Sequence, residues 1–205
     1  VYEIPEGSKN SKGRAIQNLI NIEQDDKVKA FICTQDLKDE DYVNSHYVIM
    51  ATKMGQVKKT SLEQYSRPRS NGINAITIKD DDELLEAKLT NGNSQIMLAV
   101  KSGKAIRFEE NKTRPMGRNA SGVRGIRLKD DKDEVVGMIS VNDMDANILV
   151  VSENGFGKRS SLEDYRLTNR GGKGVKTISI TEKTGKLVTL KSVSDNDDLM
   201  IINKS

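Results

Sequence analysis

Val48-Ile49-Met50-Ala51, Ile96-Met97-Leu98-Ala99 and Ile148-Leu149-Val150-Val151 are one apolar run written three times in a chain of 205 residues. Aligning them brings Gly55, Gly103 and Gly155 into register, 48 and 52 residues apart, and Gly72, Gly122 and Gly174 fall into register downstream. A period of this size marks a supersecondary unit that cannot bury its own apolar face and must stack on copies of itself. The chain therefore reads as one array of repeats, and its function is to be sought in what the repeats present in common.

Each copy reads as four strands. Residues 47–51, 95–100 and 147–152 are short, β-branched-rich runs closed by a turn with Gly, the pattern of buried strands. Second strands are expected at 56–60, 104–108 and 156–160. A polar loop leads to third strands at 73–78, 123–128 and 175–180, and fourth strands follow at 84–89, 135–141 and 187–193. Four strands per unit is the pattern of a propeller blade, so the expected fold is all-β. The polar loop opens Ser61-Leu62-Glu63-Gln64-Tyr65 in the first copy and Ser161-Leu162-Glu163-Asp164-Tyr165 in the third, which predicts one helical turn capped by a hydroxyl. The middle copy has Glu109-Glu110-Asn111 there and lacks the Tyr.

Both ends read as cut through a repeat. Val1-Tyr2-Glu3-Ile4-Pro5 resembles the end of a second strand, a fourth strand is expected at 27–34, and Leu199-Met200-Ile201-Ile202-Asn203-Lys204-Ser205 resembles a first strand. The expected division is a partial blade at 1–46, blades at 47–94, 95–146 and 147–197, and a strand of a further blade at 198–205, the whole being a fragment of a longer protein.

With 4% aromatic residues and no Trp, the core must be built from Val, Ile, Leu and Met. The single cysteine, Cys33, excludes an internal disulfide and suits a reducing cytosol. Its setting, Phe31-Ile32-Cys33, reads as core strand. No apolar run approaches the roughly 20 residues of a membrane span, so the chain reads as soluble and cytoplasmic. The one histidine, His46, has no Cys or acidic ligands at metal spacing, and no catalytic or metal site is expected. Tyr65 and Tyr165 stand at equivalent positions, as packing residues do.

Net charge is only +3, but the signs are segregated. Between Gln56 and Lys79 five cations face one anion; between Gly103 and Lys129 eight face two; between Gly155 and Ile180 six face two. Acid is concentrated in the turns Asp80-Asp81-Asp82-Glu83 and Asp130-Asp131-Lys132-Asp133-Glu134. One charge run is a solvated surface; three at equivalent positions of a radial array predict a basic belt. Such a belt suits the phosphates of double-stranded DNA, whose neutralisation releases counterions, and its curvature favours a bent duplex. The candidate DNA contacts are Lys58, Lys59, Arg67 and Arg69; Lys104, Arg107, Lys112, Arg114, Arg118 and Arg124; and Lys158, Arg159, Arg166, Arg170, Lys173 and Lys176. In Asn169-Arg170-Gly171-Gly172-Lys173-Gly174 the glycines either let backbone N–H groups approach phosphates or serve a tight turn.

Several segments together resemble the C-terminal domain family of the DNA gyrase A protein, across essentially the whole chain. They are Tyr2-Glu3-Ile4-Pro5, Lys12-Gly13-Arg14-Ala15-Ile16, Ser66-Arg67-Pro68-Arg69-Ser70-Asn71-Gly72-Ile73, Thr113-Arg114-Pro115-Met116-Gly117-Arg118 with Gly122-Val123-Arg124-Gly125-Ile126, and Gly155-Phe156-Gly157-Lys158-Arg159 with Tyr165 to Val175. The resemblance implies a β-pinwheel, a propeller-like ring whose blades exchange strands. It also implies a rim that wraps DNA in a positive, right-handed sense so that a type II topoisomerase can introduce negative supercoils. The catalytic Tyr, ATP and Mg²⁺ would then lie elsewhere in the whole enzyme. A second gyrase A chain and gyrase B chains would be its partners, with no cofactor in this part and no membrane.

One departure stands out. The family's Gln-Arg-Arg-Gly-Gly-Arg-Gly box belongs to the first blade, and the nearest stretch here, Thr168 to Gly174, reads as a degenerate equivalent in a later blade. On that basis DNA binding is expected with incomplete wrapping. A topoisomerase IV-type domain that binds DNA without strong wrapping, and a propeller that serves as a protein scaffold, remain the alternatives.

Overall fold

The computed structural model describes residues 5–20, 22, 26–69 and 71–201. The strand end expected at 1–5 and the second half of the strand expected at 199–205 fall almost wholly outside these residues. Leu199, Met200 and Ile201 are exposed and join no ladder. The expected strand at 27–34 forms no ladder. Ala30 and Ile32 point into the core while Phe31 and Cys33 point out, so Cys33 is exposed and not a core residue.

After a short helix, α1 (Glu40–Ser45), come β1 (Tyr47–Thr52), β2 (Gln56–Ser61), β3 (Leu84–Thr90), β4 (Gln95–Val100), β5 (Lys104–Glu109), β6 (Val123–Arg124), β7 (Val135–Val141), β8 (Asn147–Ser152), β9 (Gly157–Ser161), β10 (Leu167–Thr168), β11 (Val175–Lys176) and β12 (Leu187–Val193). Three sheets result, ordered β3-β1-β2-β6, β7-β4-β5-β10 with β11 also on β5, and β12-β8-β9. In each repeat the first strand is central, with the fourth and second strands antiparallel on either side.

The third strands are far shorter than expected. The stretch 73–78 forms none, and β6 and β11 hold two residues each. They also pair outside their own repeat: β6 joins β2 and β11 joins β5, so each third strand belongs to the preceding sheet. The ladder is pinched off because the next N–H groups converge on one turn carbonyl. Gly125 and Ile126 both donate to Gly55, and Thr177 and Ile178 both donate to Gly103.

The sheets and cores alternate as layers. Val48 and Met50 face a core shared with Ala30, Ile32 and Leu37. Ile49 and Ala51, on the other face of β1, meet Ile96 and Leu98 of β4. Met97 and Ala99, on the far face of β4, meet Ile148 and Val150 of β8. First strands sandwiched on both faces read as unbroken apolar runs. The 3₁₀ turns expected after β2 and β9 are present at Leu62–Tyr65 and Leu162–Asp164, and a third at Glu110–Lys112 stands where the motif changes. The hydroxyl cap holds only for Ser161, whose Oγ accepts from Glu163 N at 3.2 Å. Helix α1 lies outside the sequence expectations, although Asp39 as N-cap (accepting from Tyr42 N at 3.1 Å) followed by Glu40 and Asp41 is its signal.

Candidate nucleic-acid interface

The basic loops cross from one repeat to the one before. Leaving its 3₁₀ turn, the middle loop runs parallel to β2, with Pro115 opposite Lys59, and returns antiparallel as β6. The third loop repeats the path, with β10 parallel to β5 and β11 antiparallel to it. The return needs glycine. A Cβ on Gly122 (φ +93°) would sit 2.6 Å from the Val57 carbonyl oxygen, and one on Gly174 (φ +71°) 2.5 Å from that of Ala105.

Arg118 and Arg170 occupy equivalent loop positions and make equivalent contacts. Arg118 Nη1 donates to the Asn74 carbonyl at 3.1 Å, and Arg170 Nη1 donates to the Arg124 carbonyl at 3.1 Å. Arg170 Nε also donates to the Lys112 carbonyl at 2.9 Å, which brings Lys112, Arg124 and Arg170 together across the joint. Carbonyl contacts orient a guanidinium without neutralising it.

Ten of the sixteen candidates are exposed: Arg67, Arg69, Lys112, Arg114, Arg124, Lys158, Arg159, Arg166, Lys173 and Lys176. Lys104, Arg107, Arg118 and Arg170 are half-buried. Among the described residues, Arg159 is the one exposed candidate paired with a carboxylate, that of Asp195.

Lys58 and Lys59 correct the sequence expectation, because both are buried beneath the crossing loop. Lys58 Nζ donates to the carbonyls of Ala75, at 2.6 Å, and Arg118. Burial, and secondarily the Arg118 charge, push its pKa down to about 8. Lys59 lies 2.9 Å from Glu110 Oε1 and 4.0 Å from the centre of the Tyr47 ring. Glu110 is itself fully buried and accepts from Thr90 Oγ1 at 2.6 Å and Ser94 N at 3.1 Å. Arg107, equivalent to Lys59, is likewise turned inward. Its Nη1 donates to the Leu162 and Tyr165 carbonyls at 2.9 and 3.0 Å, and Nε to Gln95 at 2.6 Å. Burial lowers its pKa. Alternation along a strand was the available signal: Lys58 and Lys59 are adjacent in β2, so they cannot both point to one face.

The tyrosines pack, in keeping with their equivalent positions. Tyr65 OH donates to the Ala75 carbonyl at 3.1 Å, and the Tyr165 and Thr177 hydroxyls share a hydrogen bond. His46 Nδ1 lies 2.8 Å from the Tyr42 carbonyl. No group of three or more potential metal ligands occurs among the described residues. No helix among them is long and apolar enough to cross a membrane.

The acidic turns cap the first hairpin of their own repeat. Asp82 Oδ1 accepts from Met54 N at 2.9 Å, and Asp133 accepts from Ser102 N, Ser102 Oγ and Lys129 N within 3.0 Å. Lys29 and Lys53 hydrogen-bond Glu83 and hold its carboxyl below the usual range.

Stacked sheets of this kind, of which the first two each take the third strand of the following repeat, define a β-pinwheel. The chain belongs to the DNA gyrase C-terminal domain, beta-propeller family, matching over residues 1–35, 46–91, 95–142 and 146–194. It is 43% identical over 205 residues to the DNA gyrase A protein of Staphylococcus epidermidis and 44% identical over 206 residues to that of Staphylococcus aureus. In each case all of this chain aligns with 22% of the relative, so it spans about a fifth of their length. Among solved structures it is similar to the C-terminal domain of DNA topoisomerase IV (TM-score 0.80, 26% identity, 89% of this chain and 55% of that one). It is also similar to a DNA gyrase A C-terminal domain (TM-score 0.76, 25% identity, 91% and 60%).

Proposed function

We propose that this chain is a DNA-binding and DNA-wrapping module of a gyrase-type type II topoisomerase, with no catalytic residue of its own. The observation that carries the reading is the interleaving at each joint. Because one repeat's loop lies along the second strand of the repeat before, Lys112 and Arg124 of the middle repeat adjoin Arg170 of the next. Arg118 and Arg170 are oriented with their charge intact, and exposed cations flank them. A duplex laid along such a row releases counterions at each neutralised phosphate. Blades of a propeller-like array repeat radially, so a duplex that follows successive joints is bent. Bending a site of roughly 20–30 base pairs by 40–90° costs about 1–6 kcal/mol, which the added contacts offset.

In this role double-stranded DNA is the partner and the bacterial cytoplasm the setting. Strand cleavage, ATP and Mg²⁺ belong to other parts of the whole enzyme, which a second gyrase A chain and the gyrase B chains complete. The working division is three blades of about fifty residues between two partial ones.

The test is relaxation of supercoiled plasmid by a separate topoisomerase with this chain bound. Wrapping leaves a shift in linking number after deproteinisation. Binding with no shift supports the topoisomerase IV-like reading. Absence of DNA binding at low salt overturns both and leaves the protein scaffold.

A further inference from the structure

We infer that the joint between the second and third repeats carries a lysine-lined groove, adjoining the basic loops, that grips backbone phosphates of bound duplex DNA. The inference rests on the DNA-binding reading above and adds a place where the duplex is held.

The groove encloses about 760 Å³ between the 101–103 turn, the 129–133 turn and the 176–181 segment of the next repeat. Lys101, Lys104, Lys129, Lys132, Lys176 and Lys186 line it, with Ile178 and Ile180 among its apolar walls. Lys104 and Lys176 stand opposite each other across the β5–β11 ladder, which joins the groove to the loop surface. Against these six lysines the lining has two carboxylates, Asp130 and Asp133, and although Asp130 and the neighbouring Asp131 are exposed, lysine remains in excess. Asp133 is buried and caps Ser102 and Lys129, Asp130 Oδ1 accepts from Lys132 N at 3.0 Å, and Glu134 pairs with Lys101 at 2.8 Å. Lys104, Lys129, Lys132, Lys176 and Lys186 have no carboxylate partner among the described residues.

The first joint has the same backbone and a different lining. The donation of Leu187 N to the Lys101 carbonyl at 3.0 Å matches that of Val135 N to the Lys53 carbonyl at 2.8 Å, which makes Lys186 the counterpart of Glu134. Strand register likewise makes Lys104 the counterpart of Gln56 and Ser102 that of Met54. In passing from the first joint to the second, therefore, an acid becomes a lysine, an amide becomes a lysine, and a bulky thioether becomes a small hydroxyl. Each change adds positive charge or room. Lysine heads on flexible stems around a trough suit a phosphodiester backbone, which needs charge at several points and no fixed hydrogen-bond geometry.

Two measurements test this. With the unaltered chain, Lys129, Lys132 and Lys186 are expected to be protected from acetylation by an amine-reactive ester when a duplex of about 40 base pairs is bound, as read by mass spectrometry. Equal labelling with and without duplex overturns the groove. Separately, Lys129→Ala with Lys132→Ala and Lys186→Ala is expected to lower the slope of log affinity against log salt by about 0.9 for each phosphate left unneutralised. The control removes the exposed Lys27, Lys38 and Lys191, and is expected to leave the slope closer to that of the unaltered chain. An unchanged slope in the groove variant, alongside salt-dependent binding by the unaltered chain, overturns the groove while the DNA-binding reading stands. If the unaltered chain itself does not bind the duplex, that reading fails and the groove with it.

Discussion

Lys59, Arg107 and Arg159 share one position of the repeat, and Leu62, Glu110 and Leu162 share another. At the first joint this places a buried lysine against a buried glutamate where the first and third repeats use leucine in the turn. Removing one partner of a buried pair leaves an uncompensated charge, whereas replacing both with apolar groups is far less costly. Lys59→Met alone is expected to destabilise the fold by about 3–5 kcal/mol, and adding Glu110→Leu to recover most of that loss. Urea unfolding measures both, and a double variant no more stable than the single one would contradict this account. Lys58 yields a pH prediction at the same scale. Its folded pKa of about 8 lies below the ordinary 10.5, so between those values the unfolded chain holds a proton that the folded chain has released. Stability contributed by this group therefore rises with pH across that window, by up to about 3 kcal/mol. Tyr65, whose pKa burial raises, acts in the opposite sense above its ordinary value of 10.0. The clean comparison is therefore the unaltered chain against Lys58→Met between pH 7 and about 9.5, where the unaltered chain is expected to gain relative to the variant.

At the scale of the element, the register glycines divide into two uses that sequence could not separate. Gly103 and Gly155 have φ of +81° and +79° and look interchangeable. A Cβ on Gly103 would meet the Ile178 carbonyl oxygen at 2.6 Å, while one on Gly155 meets nothing within 4 Å. Gly155→Ala is expected to cost only the left-handed backbone penalty of about 1–2 kcal/mol. Gly103→Ala should cost distinctly more, because it also pushes the next repeat's third strand off the turn carbonyl. Thermal unfolding of the two variants tests this, and equal losses would mean the neighbours of Gly103 relax freely. First, second and fourth strands were legible in the sequence because each is a run of residues whose period and bounding turns are local. The third strands were not, since their partners lie a whole repeat away and only two residues of each complete a ladder.

For the molecule as a whole, the exchanged loops turn scattered cations into neighbours. The surface set of Arg67, Arg69, Arg114 and Arg166 makes no side-chain hydrogen bond or ion pair to protein among the described residues, so its replacement by Ala should leave the fold intact. The slope of log affinity for duplex DNA against log salt is expected to fall by about 0.9 for every phosphate that goes unneutralised as a result. Fluorescence anisotropy across a salt series measures it, and an unaltered slope would argue that DNA binds elsewhere. Arg118 and Arg170 belong in a separate experiment, because removing either also loosens a joint.

The repeat period, the first, second and fourth strands within residues 47–193, the glycine register and the segregation of charge could all be read from the sequence alone, because each depends on spacing along the chain. Which cations reach solvent was decided only by tertiary structure: the same crossing that gathers the loop arginines buries Lys58 and Lys59 beneath them. The first strands make the same point in apolar residues. The runs at 48–51, 96–99 and 148–151 are alike in composition, yet β1 and β4 are buried on both faces while β8 alternates. A strand's own sequence supplies the apolar surface, but whether that surface leaves water depends on a neighbouring sheet lying against it.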